Sequence, residues 1–551
     1  MERRDFIRTT LIGAAALGVG FYGGRKIGIK HPFETIIKNG VIYTGDGKAP
    51  IRGDIGIRDG RIAAIGTLGD NADFILDAKG LAISPGWVDI HTHTDTNLFL
   101  APKGDSRIFQ GVTTDIGGNC GDSPFPYSDV HYEANKDTLR HGYPFWQDID
   151  GFYDAYRKQG IGINYGSLVG QGQLRSAVIG DNNVPATPET LAKMCSILDR
   201  EMEMGAMGIS LGLEYAPSSY ASDEELIELC KVVAKHDGLY AIHMRNEDDF
   251  VEESLRDAIR IARESGARLQ VSHLKAQNAA NWHKMPALLA MIDQAKAEGL
   301  DIAFDRYPYI AFSTGLSSFI PINDRQGSSE EVLARLVDEA KAAEIGKYAE
   351  SRIKRLGGPQ NVLIATCRAE GNSQYSGKNV AECCQISGMD VWPMIRHLLI
   401  SERLNVQMAG FAMKEENIQM EYRHPLSMPA SDGSVYAPEG PLGEKMPHPR
   451  SYGTFPRFFQ KYVREDKILD LATAVHKCSA LPASRLRLKE RGSLIPGYWA
   501  DVVVFNPDTI EEKSTYDNPH QFPVGIEHVF VNGVWTIKEG SHTGKLAGVI
   551  V

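Results

Sequence analysis

The sequence predicts an α/β protein: a (β/α)8 TIM-type barrel, with a small β-sandwich domain formed from both chain ends and an insertion before the last barrel strand. Three observations predict it. Eight short apolar stretches of strand character alternate with helical ones through the middle of the chain. Matching strand-and-turn text stands at the two ends. Roughly a hundred residues separate the seventh stretch from the eighth, far more than an ordinary connection needs.

Taken in order, Glu2-Arg3-Arg4-Asp5-Phe6-Ile7-Arg8 resembles a twin-arginine export signal. The apolar run from Thr9 to Gly24 is 16 residues long, shorter than the ~20 that span a bilayer. Residues 1–32 are therefore set apart as an export signal, or as an anchor if uncleaved. Periplasmic export is the expectation, with membrane contact through this segment alone. Residues 33–84 read as short strands with turns. Asn39-Gly40 and Asp59-Gly60 sit between apolar runs and predict hairpins. Ala500 to Asn506 and His528 to Trp535 repeat that texture, so residues 492–551 are expected to join 33–84 in one sandwich.

The barrel is assigned to 85–491. Its strands are expected at 87–91, 111–117, 162–169, 206–211, 239–243, 268–273, 301–306 and 428–432. Apolar residues recur at helical spacing in 223–236, 250–265 and 285–297. The insertion is expected at about 312–425. Its charged helical stretch, 329–355, is either a cover for the barrel mouth or a solvent-facing decoration.

Composition excludes several functions. With 42% hydrophobic and 23% charged residues the 551-residue chain is globular, and a net charge of −11 without a basic stripe past the N-terminus argues against nucleic acid. Seven scattered cysteines, an odd number, do not make a disulfide framework.

The chemistry lies at the ends of the predicted strands, the face on which barrel enzymes build their sites. His91 and His93 end the first strand, and side chains two apart on a strand point the same way. Cys120 follows the second strand, His243 ends the fifth, His273 the sixth and Asp432 the eighth. Four imidazoles and a thiol suit one or two zinc ions, with Asp432 free to act as a base. Arg245 and Glu247 read as a loop-bracing pair and are given no catalytic part.

These motifs resemble the amidohydrolase superfamily, in particular its D-aminoacylase (N-acyl-D-amino-acid deacylase) family. The resemblance rests on Gly86-Trp87-Val88-Asp89-Ile90-His91-Thr92-His93, Gly118-Asn119-Cys120-Gly121, Gly212-Leu213-Glu214-Tyr215, His243-Met244-Arg245-Asn246-Glu247 and Ser272-His273-Leu274-Lys275. It extends to Tyr307-Pro308-Tyr309, Ser431-Asp432-Gly433 and the run from His448 to Phe455. It implies a tightly held zinc on Cys120, His243 and His273, and a second, weaker site served by His91 and His93. It implies Asp432 as catalytic acid/base and Arg450 as the partner of the substrate α-carboxylate. Lys275, Tyr215 and Tyr307 match further substrate contacts. The implied substrate is a small N-acylated D-amino acid, split to a carboxylate and a free D-amino acid. The fourth strand, 206–211, lacks the lysine that most amidohydrolases use to bridge two metals; the family uses a cysteine ligand instead, which Cys120 matches. Three departures accompany this: the loop Gly170 to Arg175 has no histidine, Leu274 stands where many members have a second histidine, and the insertion before Asp432 is longer than in the best-known members. Arg450 calls for a free carboxylate but does not fix chirality, so a dipeptide or cyclic amide remains an alternative substrate. A non-catalytic binding module is disfavoured by the complete set of ligand-type residues.

Overall fold

The computed structural model describes residues 31–551; all but the last two residues of the expected export segment, 1–32, lie outside them. Among the described residues no helix is long and apolar enough to cross a membrane. Eight parallel strands form the centre: Trp87–Asp89, Val112–Gly117, Asn164–Ser167 continued by Val169–Gly170, Gly208–Gly212, Leu239–His243, Arg268–Val271, Ile302–Arg306 and Ser427–Pro429. Each pairs with its neighbour in sequence order. The ring closes between the eighth and first strands. The Asp432 amide donates to His91 O at 2.9 Å, and the His93 amide donates to Gly433 O at 2.7 Å. Val88, Ile90, Ile116, Leu168, Leu239, Ala241, Ala303, Met428 and Ala430 pack together as a buried cluster. These strands are buried along nearly their whole length, which explains their almost continuous apolar text. Helices Asp223–Lys235, Val251–Ser265 and Met285–Ala297 fall within a residue of their expected bounds. Ser222 caps the first by accepting the Glu225 amide, and Gly266 ends the second in the left-handed region.

Barrel closure rests on buried charge. Asp89 accepts the Ser431 amide at 3.0 and 3.2 Å, tying strand one to strand eight. Arg107, fully buried, lies 3.3 Å from Asp89 and 3.1 Å from Asp115. Two carboxylates taken out of water need that guanidinium between them.

The chain ends share one nine-stranded sheet. Ala82–Pro85 pairs antiparallel with Val502–Phe505, Ile83 opposite Val504, and this joins the N-terminal strands to the C-terminal ones. The sheet curls: the Ile62 amide donates to Tyr498 O at 2.9 Å, enclosing Ile37, Ile55, Ile57, Ile83, Val502 and Phe530. Two hairpins turn at Asp59-Gly60 and Asn532-Gly533, all four residues at positive φ. Asn39-Gly40 is different from its expectation. Phe33–Ile42 is a single strand, and Asn39 (φ 62°) forms a bulge whose amide donates to Asp54.

The insertion is a lobe with its own core, among it Phe319, Ile345, Val362, Ile395 and Met408. It holds an antiparallel sheet of Ala311–Gly315, Gln407–Phe411 and Val362–Ile364. The charged stretch forms two helices, Ser329–Val337 and Glu339–Arg355, with Asp338 capping the second. Helix Glu415–Arg423, inside the expected bounds of the insertion, instead packs on the seventh and eighth strands as a barrel helix. Residues of the lobe line the cavity at the barrel mouth, so it covers the site and is not a decoration.

Candidate active site

A cavity of about 1030 Å³ opens between the barrel mouth and the lobe. His93, Cys120, Tyr215, His243, His273, Lys275, Tyr307, Asp432 and Arg450 all line it. His91 is completely buried beneath. Its Nε2 lies 3.3 Å from Cys120 Sγ and 3.5 Å from Asp432 Oδ1. His93 Nε2 is 3.0 Å from the same Asp432 oxygen. On the other side, Cys120 Sγ is 3.5 Å from His273 Nε2, which is 2.9 Å from His243 Nδ1. Two donor groups therefore meet at one sulfur: His91, His93, Cys120 and Asp432, and Cys120, His243 and His273.

The backbone is bent to achieve this. Cys120 (φ 53°), His273 (φ 35°) and Asp432 (φ 49°) all occupy the left-handed region that non-glycine residues avoid. Such strain gathers at functional sites, where the surrounding fold imposes it. Gly118 at φ 70° makes room for the Cys120 loop: a β-carbon there would sit 2.0 Å from Leu168 O.

Three carboxylates outside the expected set orient the imidazoles. Asp305, at the end of the seventh strand, lies 3.2 Å from His91 Nδ1 and accepts the His273 amide at 2.7 Å. Glu214 Oε2 is 3.2 Å from His243 Nε2. Glu247 Oε1 is 3.1 Å from His273 Nδ1. Glu247 is thus no partner of Arg245, which is exposed and donates to Ser219 O. The only sequence hint was its place four residues after His243; Asp305 and Glu214 meet their partners across the barrel.

Lys275 is buried, its ammonium 2.6 Å from both Glu247 oxygens and 2.7 Å from His273 Nδ1. It braces Glu247 rather than standing free. Arg450 Nη1 donates to Asp432 Oδ2 at 2.6 Å, and its guanidinium lies over the Tyr307 ring. The Tyr307 hydroxyl is buried with no hydrogen-bond partner among the described residues. Tyr215 OH lies 3.4 Å from Thr314 of the lobe.

The donor chemistry fits zinc. His91 meets a carboxylate through Nδ1, and His243 meets one through Nε2. Their opposite nitrogens then present lone pairs toward Cys120, as carboxylate-held metal ligands do. Burial alone would raise the Cys120 thiol, but the charges of His91 and His273 outweigh it and hold the thiol well below its usual range. A sulfur with imidazole nitrogens at 3.3 and 3.5 Å is the donor pattern of a zinc site. Burial likewise acts against ionised Asp432, yet Arg450 and then His273 keep its carboxyl well below the ordinary carboxylate value.

Comparison with known proteins agrees with this chemistry. The amidohydrolase family model matches residues 75–346 and 440–537. The D-aminoacylase of Alcaligenes xylosoxydans xylosoxydans is 33% identical over 526 residues, covering 94% of this chain and 98% of that protein. The N-acyl-D-glutamate deacylase of Bordetella bronchiseptica was solved with zinc and a phosphonate that mimics the tetrahedral intermediate. It superimposes with a TM-score of 0.79 at 33% identity, over 94% of this chain and 99% of that one. A D-aminoacylase with a binuclear metal centre, activated by one metal and attenuated by the second, gives 0.79 at 32% identity over the same shares.

Proposed function

The chain belongs to the amidohydrolase family, and from that premise we infer that it is a zinc-dependent deacylase of N-acyl-D-amino acids. The observation that carries this reading is the meeting of a shared cysteine sulfur, four imidazoles, an aspartate and an arginine at one cavity. The D configuration comes from relatives that cover nearly the whole chain. Cys120, His243 and His273 would hold one zinc; His91 and His93, with the shared Cys120, would serve a second.

A zinc held by these residues would supply Lewis-acid polarisation of the amide carbonyl and a water with a pKa of about 7. Asp432 takes the proton of the attacking water and passes it to the amide nitrogen as the carbon–nitrogen bond breaks. The products are a carboxylic acid and the free amino acid. Arg450 holds Asp432 through Nη1 and has further donors for the substrate's α-carboxylate. Tyr307, whose ring lies under the Arg450 guanidinium, backs the arginine at the same end of the substrate. Asp305 and Glu247, the latter braced by Lys275, keep His91 and His273 aimed.

The carboxylate contact can be tested by comparing an N-acetyl-D-amino acid with its methyl ester. A charge-assisted hydrogen bond of about 1.5–3 kcal/mol predicts a kcat/KM ratio of about 10–150 in favour of the acid. Arg450→Gln should lower both rates, through Asp432, and bring the ratio close to one. Equal turnover of acid and ester by the native chain would contradict the contact.

A further inference from the structure

The insertion lobe reaches the zinc-ligand residues through the last turns of one helix, Glu339–Arg355. Arg352, 12% exposed, places Nη1 and Nη2 each 3.3 Å from Glu214 Oε1. The other Glu214 oxygen is the one that meets His243 Nε2. Three residues on, along the same helix face, Arg355 Nε lies 3.8 Å from Asp248, the neighbour of Glu247. Arg325, also of the lobe, donates to the Glu214 backbone carbonyl at 3.3 Å. Glu214, His243 and Glu247 have the donor types of a third cation site. Positive charge is already supplied there: Arg352 sits on Glu214, and Lys275 sits on both oxygens of Glu247. The two carboxylates are therefore occupied as orienting groups.

We propose that Arg352 and Glu214 are positioning residues through which the insertion lobe fixes the tautomer and ring orientation of His243, and thereby sets zinc affinity at Cys120, His243 and His273. A carboxylate that accepts the Nε2 proton leaves Nδ1 as the ligand nitrogen and stops the ring from turning. Glu214 stands in the turn after the fourth strand, and its flexible side chain does not by itself fix its carboxylate. The arginine, anchored on a helix of a separately packed lobe, is what keeps its carboxylate on His243. The ion pair spans 138 residues of chain. Arg352 also falls in the stretch 347–439 that the family model leaves unmatched. The lobe is thus tied into the metal site as well as lying over the cavity. The proposal rests on the reading of His243 as a zinc ligand.

The test is zinc affinity, measured by chelator competition on the full chain, together with the absorption spectrum of the cobalt-loaded protein. Glu214→Gln should weaken zinc binding by about 10–100-fold, as loss of an outer partner of a ligating histidine does. Arg352→Met should weaken it in the same direction, and Arg352→Lys should recover part of the loss. Because both residues act along one path, Glu214→Gln with Arg352→Met should be little worse than Glu214→Gln alone. The cobalt band should shift in Glu214→Gln and Arg352→Met. Zinc affinity within about twofold of native in folded Glu214→Gln or Arg352→Met would overturn the proposal. If Glu214→Gln does not fold, the Met and Lys variants at 352 decide it, and equal affinity in both and in the native chain overturns it. His243→Ala separates the two ideas: unchanged zinc affinity there would sink the ligand reading itself.

Discussion

Asp432→Asn is expected to lower kcat by about 10²–10⁴-fold, the usual contribution of a positioned acid/base, while leaving the fold and zinc content intact. Asparagine is the informative substitution because of the backbone. Asp432 sits at φ 49°, and asparagine tolerates the left-handed region far better than alanine does. An amide oxygen can still accept from Arg450, which now reaches Oδ2 at 2.6 Å, while the amide nitrogen takes the Oδ1 place beside His93 Nε2. What is lost is the ability to take and return a proton. KM should change much less than kcat, since Asp432 is not the group that binds the substrate carboxylate. A variant that folds, keeps zinc and retains full kcat would remove Asp432 from the chemistry. Loss of zinc along with activity would recast it mainly as a ligand beside His91 and His93.

Cys120→Ala is expected to have the larger effect on the metal. Both donor groups include this sulfur, so its removal dismantles them together. Zinc affinity should fall by more than about a hundredfold, beyond the 10–100-fold typical of losing an outer partner, and activity should fall with it. Alanine at φ 53° is strained no more than the native cysteine, so unfolding is not the expected cause. His91→Ala provides the contrast, because His91 is a member of only one of the two groups. It should spare the zinc held by Cys120, His243 and His273. Equal zinc loss in Cys120→Ala and His91→Ala would mean a single site rather than two sharing a sulfur.

The eight strands and the polar residues at their ends were readable because both signals are local. A β-branched run ending in His91-Thr92-His93 states its own direction, and His243 and Asp432 close equally short runs. The groups that aim these side chains were not readable. Asp305 meets His91 across 214 residues and Arg352 meets Glu214 across 138, and no spacing encodes such a pairing. Asp89, Arg107 and Asp115 carry the same lesson, being ordinary surface-type residues until barrel closure buries them. Asn39-Gly40 misled because a bulge and a hairpin turn both need φ above zero, and only pairing with Ile51–Arg58 tells them apart. The lobe was visible as a length, but its antiparallel sheet joins strands too short and too separated to announce themselves.

The most direct measurement combines zinc content and product release on one purified sample, with N-acetyl-D- and N-acetyl-L-amino acids run in parallel. One or two zinc ions per chain, with free amino acid released from the D series alone and lost on chelation, is the expected result. Zinc-loaded protein that releases nothing from either series, or that prefers the L series, would contradict deacylation of N-acyl-D-amino acids while leaving the barrel and its metal site in place.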